Sequence, residues 1–375
     1  MGRLIGISAS FLKPGLVGGA EHMLRNLVRG LAQAANPEDR LLLLGGPAWP
    51  QVNGSAPVQW IDGGAKRNHF VEAWSYVRRY LPQLDAVLLP NYFTPPVRAR
   101  RARIVTVIHD LKYLHLPDTV SPQKRLWLRA AHALTMHLAD AVVVISHFVR
   151  EDLLRAYGVR WEKKVHVIPN PISWDRFAEG QPGSDFRVPQ GRYVLSVAAQ
   201  YQHKNLETLL RAFALLQKRS AYEDVSLVLA GQLSTNLVGI AQRPDVRGLI
   251  TTLGLERRVR VTGYISDWEL GMHYRNAAAF VFPSLFEGCG MPPVEALGFG
   301  LPVITTRCAA LPESTQGLAY YVDDPLDEHE LAEALATVLD DPKGRMPSPA
   351  AVHQLRAFHA VEAIGAQYYA LLTVT

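Results

Sequence analysis

The sequence of 375 residues is poor in cysteine and has no long apolar run. Its two cysteines, Cys289 and Cys308, are too few for a disulfide framework or for a four-ligand zinc site made by thiols alone. No apolar stretch reaches the ~18–20 residues that a membrane-spanning helix needs. The amino terminus enters a strand-like run at once and lacks the features of a signal peptide. We therefore expect a cytoplasmic protein with reduced thiols.

Charge is sparse and unevenly distributed. Charged residues make up 19% of the chain and apolar residues 48%, as in a folded globular protein. Residues 1–175 carry 22 Lys and Arg against 13 Asp and Glu, whereas the remaining 200 residues carry 17 against 21. The basic half is expected to meet an anionic partner, and an uneven surface without a partner is the alternative.

Thirteen short apolar runs predict β-strands. The runs are nearly continuous in Val, Ile and Leu, which is typical of parallel strands buried on both faces. Helical segments alternate with them, which predicts βαβ units. The runs are 4–8, 41–44, 58–61, 86–89, 104–108, 141–146 and 165–169 in the first half, and 193–198, 225–230, 259–263, 279–284, 302–306 and 318–322 in the second.

A segment rich in Pro, Gly and polar residues, 169–185, separates the two series of strands. A chain of this length is too long for one ordinary core. We therefore predict an α/β protein of two Rossmann-like, doubly wound domains, residues 1–172 and 173–357. Ligands of such folds bind at the carboxyl ends of the strands, so a cleft between the two domains is expected to hold the substrate.

Three features at strand ends suit phosphate or sugar binding. Gly18 and Gly19 precede an amphipathic helix, where a glycine turn lets the backbone approach an anion. His109, followed by Asp110, ends a strand and can donate to a phosphate or a sugar hydroxyl. Lys204 lies in a strand-to-helix loop and suits a diphosphate. A plain turn, a satisfied histidine and a solvated lysine are the respective alternatives.

The segment 284–304 carries the most specific pattern. Glu287 and Glu295 are separated by seven residues around a loop that contains Gly288 and Gly290, and a helix is predicted to start at the following prolines. A carboxylate accepts from two donors at once. Glu295 therefore suits the vicinal hydroxyls of a ribose, and Glu287 suits hydroxyls of a transferred sugar.

Seven segments together resemble the retaining glycosyltransferases of the GT-B fold, family GT4. The resemblance spans nearly the whole chain in the same order, and the two spaced glutamates are its most specific part. The segments are GGAE (18–21), HD (109–110), VISHFVRED (144–152), VIPNPIS (167–173), KNLETLLRAF (204–213), VTGYISDWEL (261–270) and FEGCGMPPVEALGFGLPVI (286–304).

The resemblance implies a role for each matching residue. Glu295 would hold the donor ribose, Lys204 the diphosphate, and the turn at Tyr264 would lie beside the nucleobase. The last helix, predicted over the segment 351–372 with about 358–375 as its crossover part, would cross back to pack on the first domain. The catalytic assignment is His109 and Glu287. The donor-binding assignment is Gly18, Gly19, His203, Lys204, Tyr264, Ile265, Gly288, Cys289, Gly290, Met291 and Glu295.

The sequence departs from the family pattern at the phosphate site. Ala199 stands where the family often has an arginine, and His203 stands where a basic residue is common. The prolines at 292 and 293 also remove two backbone donors from the loop. The phosphate charge is therefore expected to rest chiefly on Lys204.

Basic residues cluster at three places in the first half, and at two of these places they lie near aromatic residues. This pattern suits an anionic membrane surface, and it equally suits a glycan or lipid-linked acceptor that carries phosphate. A solvated face is the alternative for each cluster. No nucleic-acid recognition module is found. The clusters are Arg98, Arg100, Arg101 and Arg103; Lys124, Arg125 and Arg129 with Trp127; and Lys66, Arg67, Arg78 and Arg79 with Phe70, Trp74 and Tyr76.

Together these features predict a hexosyltransferase on the cytoplasmic face of the inner membrane, active in envelope polysaccharide or glycolipid assembly. The resemblance implies that it retains the anomeric configuration. The donor is a co-substrate, and no cofactor or metal is expected, because an Asp-x-Asp sequence is missing. GDP-mannose is the first expectation for the donor, and UDP-glucose or UDP-N-acetylhexosamine is the alternative. The same fold would also suit a sugar phosphorylase, a nucleotide-sugar epimerase, or a nucleotide-sugar-binding protein without turnover.

Overall fold

The structure, a computed structural model, consists of two parallel sheets flanked by helices. Residues 69–73 are described by their backbone only. The described residues are 2–12, 19–46, 52–61, 69–91, 93–96, 101–181, 183, 186–199, 201–231 and 245–374.

All thirteen predicted strands are present, and their bounds differ from the prediction by at most two residues. The first sheet holds β1 (Leu4–Ser8), β2 (Arg40–Leu44), β3 (Val58–Ile61), β4 (Ala86–Leu89), β5 (Arg103–Ile108), β6 (Ala141–Val144) and β7 (Val165–Val167). The second holds β8 (Tyr193–Val197), β9 (Ser226–Ala230), β10 (Val259–Gly263), β11 (Ala279–Phe282), β12 (Val303–Thr306) and β13 (Tyr320–Val322).

Thirteen α-helices lie in the described part of the chain. They are α1 (Gly19–Ala34), α2 (His69–Tyr80), α3 (Lys112–His115), α4 (Pro122–Leu138), α5 (His147–Tyr157), α6 (Leu206–Gln217), α7 (Val246–Thr252), α8 (Asp267–Asn276), α9 (Met291–Gly298), α10 (Leu311–Ser314), α11 (Glu328–Asp340), α12 (Pro349–Phe358) and α13 (Val361–Thr373).

The two sheets share one topology. The strand order is β3-β2-β1-β4-β5-β6-β7 in the first and β10-β9-β8-β11-β12-β13 in the second, and every pair is parallel. The order reverses between β1 and β4 and between β8 and β11. Ligands of doubly wound sheets bind outside the carboxyl ends of the strands at such switch points. The predicted fold class is confirmed, and these two places are the first candidates for a site.

The chain divides into two compact units. The first consists of Met1–Leu114, Pro122–Ser173 and Ala357–Thr375, and the second of His115–Ser121 and Trp174–Arg356. Each has an apolar core built from its sheet and the covering helices. In the second unit, Leu209 and Phe213 of α6 and Leu335 of α11 pack against strand residues and are fully buried. No helix in the described ranges is long and apolar enough to cross a membrane.

The carboxyl-terminal segment forms two helices where the sequence predicted one. Between α12 and α13 the backbone pairs with the segment that leaves the first sheet: the carbonyl of His359 accepts from the N–H of Ile172 at 2.8 Å. This pairing lies directly after α12 ends at Phe358. The second helix, α13, then packs on α1, where Gly30 and Gly365 let the two backbones approach each other closely.

Candidate donor site

The loops that follow β8 and β11 meet at the switch point of the second sheet. The backbone carbonyl of His203 accepts hydrogen bonds from the N–H of Leu285 at 2.7 Å and from the hydroxyl of Ser284 at 2.9 Å. The imidazole of His203 is buried and stacks on Tyr201, with ring centroids 5.5 Å apart. His203 thus joins the two loops through its backbone. The assignment of its side chain to phosphate stays a prediction.

Lys204 and Glu287 form an ion pair at the same place. Nζ of Lys204 lies 2.6 Å from Oε1 of Glu287, and the two side chains are only 15% and 13% exposed. The Ser284 hydroxyl is also 2.6 Å from that oxygen. Nζ lies 4.9 Å from the centre of the Phe282 ring. An ammonium has three donors, so Lys204 can bind a phosphate oxygen and still hold Glu287.

The glycine-rich loop turns sharply into α9. Gly290 precedes the helix with φ +75°, a left-handed conformation that favours glycine, and a Cβ there would lie 2.6 Å from a methyl group of Leu311. Cys289 is buried, with its Sγ 3.6 Å from Sδ of Met291, the first helical residue. Gly288 is buried too. The two prolines lie in the first turn of the helix, where a missing N–H costs no helical hydrogen bond.

Glu295 is held from two sides. Nη2 of Arg176 donates to its Oε1 at 2.7 Å, and the hydroxyl of Tyr274 donates to its Oε2 at 3.0 Å. Glu295 is only 6% exposed. Burial raises the pKa of Glu295 because it disfavours the charged form, and the nearby Arg176 opposes that rise. Each carboxylate oxygen has a second lone pair, so the group can still accept from a ribose hydroxyl.

The predicted nucleobase turn follows β10. Gly263, with φ +74°, ends the strand, and its carbonyl accepts from the N–H of Gly231 at the end of β9 at 2.9 Å. Tyr264 is 66% exposed, and Ile265 is half-buried. Ser266 then caps α8. The turn is thus at the same edge of the second sheet as the loops that follow β8 and β11.

The remaining predicted residues belong to the first unit. Gly19 is the first residue of α1, whereas Gly18 lies outside the described residues. Nε2 of His109 is 2.8 Å from the carbonyl oxygen of Pro90, and burial lowers the pKa of His109. A carbonyl only accepts, so Nε2 carries the proton and Nδ1 is an acceptor in the neutral ring. The assignment of His109 to the transferred sugar stays a prediction.

Sequence reasoning missed Arg176 and Tyr274, the two partners of Glu295. Arg176 lies in the Pro- and Gly-rich segment that was interpreted as a boundary, and Tyr274 lies on an ordinary-looking helix. No local pattern in the sequence pairs either residue with Glu295, because both lie far from it in the chain.

The chain thus has two doubly wound parallel sheets, and a lysine, two spaced glutamates and a glycine turn follow the strands at the switch point of the second sheet. This is the place where such folds bind ligands. Two family models match the chain: "Glycosyltransferase Family 4" over residues 17–176 and "Glycosyl transferases group 1" over residues 184–350. The chain belongs to the GT4-like glycosyltransferases of the GT-B fold.

Several relatives carry glycosyltransferase names. The chain is 27% identical to the O-antigen chain mannosyltransferase B of Escherichia coli over 68% of this chain and 65% of that protein. It is 26% identical to the O-antigen chain mannosyltransferase RfbU of Salmonella typhimurium over 64% of this chain and 61% of that protein. It is 28% identical to a D-inositol 3-phosphate glycosyltransferase of Thermobifida fusca over 61% of this chain and 53% of that protein. The matches thus span less than two thirds of each relative.

A solved structure shares the fold over almost the full length. The sucrose-phosphate synthase of Thermosynechococcus elongatus has a TM-score of 0.72 and 23% identity, and 98% of each chain is covered. At this identity the likeness concerns the fold alone.

Proposed function

We propose that this chain transfers a hexose from a nucleotide-diphosphate sugar to a glycan or lipid-linked acceptor, with retention of anomeric configuration. The observation that carries the proposal is the partly buried Lys204–Glu287 pair at the switch point of the second sheet. There Lys204 would bind the diphosphate, and Glu287 would accept from hydroxyls of the transferred sugar. Glu295, on α9, would accept from the donor ribose.

The main catalytic contribution would be stabilisation of the leaving group. As the bond between the anomeric carbon and the diphosphate oxygen breaks, negative charge develops on the diphosphate, and Lys204 would bind that charge more strongly than in the ground state. The acceptor hydroxyl attacks from the face that the diphosphate leaves, and its proton passes to the leaving phosphate oxygen. We propose that no metal or cofactor takes part.

Mannose from GDP-mannose is the proposed donor substrate. Two of the relatives are named mannosyltransferases of O-antigen chains, which supports both a mannosyl donor and an envelope polysaccharide acceptor. A third relative is named a glycosyltransferase without a stated donor sugar, so its name does not support mannose over another hexose. UDP-glucose or a UDP-N-acetylhexosamine is the alternative donor. The base is expected to lie beside the turn at Tyr264.

The test is a thermal-shift screen of GDP, UDP and ADP, followed by donor turnover with GDP-mannose, UDP-glucose and UDP-N-acetylglucosamine. A ligand at 100 times its Kd stabilises the folded protein by about 2.7 kcal/mol, so the matching base alone should give a large shift. Stabilisation by UDP and not by GDP would overturn the mannosyl proposal. Turnover that depends on inorganic phosphate, or an epimerised donor, would overturn the transferase proposal. Binding without turnover would favour a binding protein.

A peripheral membrane contact on the cytoplasmic side is the second proposal, and the first half of α4 supports it. Leu126 is 71% exposed and Trp127 38%, and Lys124 and Arg129 beside them are exposed as well. Apolar and basic side chains on one exposed helix suit a surface of anionic lipid. The same surface would bring the enzyme close to a lipid-linked acceptor.

A further inference from the structure

Glu295 depends on a residue that lies 119 positions earlier in the chain. Arg176 belongs to the short turn Asp175–Phe177, where the chain enters the second unit. Its side chain is 14% exposed, and its guanidinium carbon lies 4.3 Å from the centre of the Phe177 ring. The cation is therefore packed into the fold beside α9 and is aimed at one carboxylate oxygen of Glu295.

The surroundings of Glu295 are largely aromatic. Tyr274, its second partner, is 1% exposed, and its ring stacks on Phe299 with centroids 5.3 Å apart. Phe177 packs edge-on against both of these rings. A carboxylate in such a place loses most of its hydration, which favours the protonated form.

We propose that Arg176 is a positioning residue for donor binding: it keeps Glu295 ionised and oriented so that this carboxylate can accept from the ribose hydroxyls. The inference rests on the proposed function, because it assumes that Glu295 binds the donor ribose. A protonated Glu295 would lose acceptor capacity on one oxygen, and donor binding would weaken.

The charged and titratable groups around Glu295 allow a clear prediction. Arg176 favours the ionised form, and Asp267, whose Oδ1 is 4.0 Å from Nη1 of Arg176, opposes it. The hydroxyl of Tyr274 donates to the carboxylate and so also favours ionisation. Burial raises the pKa of Glu295, and without Arg176 the rise is expected to be larger. The ionised fraction then falls about tenfold for each pH unit below that pKa.

The experiment compares Arg176→Met and Arg176→Lys with the wild type. The carboxyl carbon of Glu295 is titrated by NMR after selective glutamate labelling, with Glu295→Gln for assignment, and the Kd of the nucleoside diphosphate chosen by the thermal-shift screen is measured from pH 6 to pH 8. In Arg176→Met the titration should move to higher pH, and the Kd should rise more at pH 6 than at pH 8. Arg176→Lys keeps the positive charge, so its Glu295 titration and its Kd should lie close to the wild-type values.

A second arginine-to-methionine variant tests whether the effects arise from the loss of any positive charge. Arg192→Met removes an arginine of the same unit that pairs with Asp224 at the surface, and it should leave both measurements at wild-type values. If Glu295 titrates at the same pH in Arg176→Met as in the wild type, the proposal is wrong. If the titration moves but none of the proteins, the wild type included, binds a nucleoside diphosphate, the proposed donor site fails, while the control of ionisation by Arg176 stands.

Discussion

Nζ of Lys204 donates a hydrogen bond to Oε1 of Glu287 across two loops that are 83 residues apart in the chain. The pair joins the residue proposed to bind the diphosphate to the residue proposed to bind the sugar. A partly buried cation that already has a carboxylate partner is held in one orientation before the donor arrives. A diphosphate that binds there would meet a positioned charge, so its binding would cost less free energy for ordering the lysine side chain.

Removing the lysine tests this arrangement. In Lys204→Ala the diphosphate loses one charge-assisted contact, worth about 1.5–3 kcal/mol. The donor kcat/KM should therefore fall by about 10- to 150-fold. Lys218→Ala, at an exposed position of the same unit, is the matched control and should keep the wild-type value. Equal activity of the two variants would contradict the assignment of Lys204.

Two glycines with nearly the same backbone conformation differ in the space around them. Substituting each in turn therefore separates the cost of backbone strain from the cost of a steric clash in the loop. Gly290 has φ +75° and Gly300 has φ +78°. A Cβ at Gly290 would meet Leu311, whereas a Cβ at Gly300 meets nothing within 4 Å. Gly300→Ala should cost about 1–2 kcal/mol of unfolding free energy from the backbone alone. Gly290→Ala should cost more than that.

The same two variants should differ in donor affinity. In Gly290→Ala either the loop that leads into α9 or the Leu311 side chain has to shift, and a shift of the loop should raise the Kd of the nucleoside diphosphate. In Gly300→Ala it should stay at the wild-type value. Calorimetric titration of both proteins decides this, and equal Kd values in both variants would contradict a loop shift that affects the donor.

His273 makes the stability of the second unit depend on pH. Burial, with Arg260 adding to it, lowers the pKa of His273 to about 4, whereas an unfolded chain keeps the usual value of about 6.5. Between these values the unfolded state binds the proton and the folded state does not, so stability falls as the pH falls. At pH 5 the loss from this residue is about 2 kcal/mol.

Urea unfolding of the wild type and His273→Gln at pH 7 and pH 5 measures this contribution. Packing lost in the variant lowers its stability at both pH values, but the gap between the two proteins should narrow by about 2 kcal/mol at pH 5. His329→Gln, at an exposed position of the same unit, is the control. A gap for His273→Gln that does not change with pH would contradict the prediction.

The exposed half of α4 is tested by sedimentation with vesicles that contain phosphatidylglycerol at low salt. Each basic residue near an anionic surface contributes about 1 kcal/mol, so Lys124→Gln combined with Arg129→Gln should weaken binding by roughly 30-fold. Leu126→Ser should weaken it further through lost apolar burial. Arg40→Gln, an exposed arginine on β2, should bind as the wild type does. Failure of the wild type to sediment would end the membrane proposal.

The strands could be predicted closely because a buried parallel strand has to be apolar on both faces. Continuous runs such as 86–89 and 193–198 therefore stand out from the helical segments around them. The break between α12 and α13 could not be predicted in this way. Nothing in the local sequence indicates that His359 pairs its backbone with Ile172 at this break, because the partner is distant in the chain.

Local chemistry likewise identified the glycine turn, the spaced glutamates and the lysine, since each shows in a few neighbouring residues and matches a known family pattern. The pairing of Lys204 with Glu287, and of Glu295 with Arg176 and Tyr274, was decided by the tertiary structure alone. Parallel strands bring together loops that are far apart in the chain, and only the folded core determines which side chains are desolvated beside each other. Charge state and orientation follow from that desolvation, so they could not be deduced from residue order.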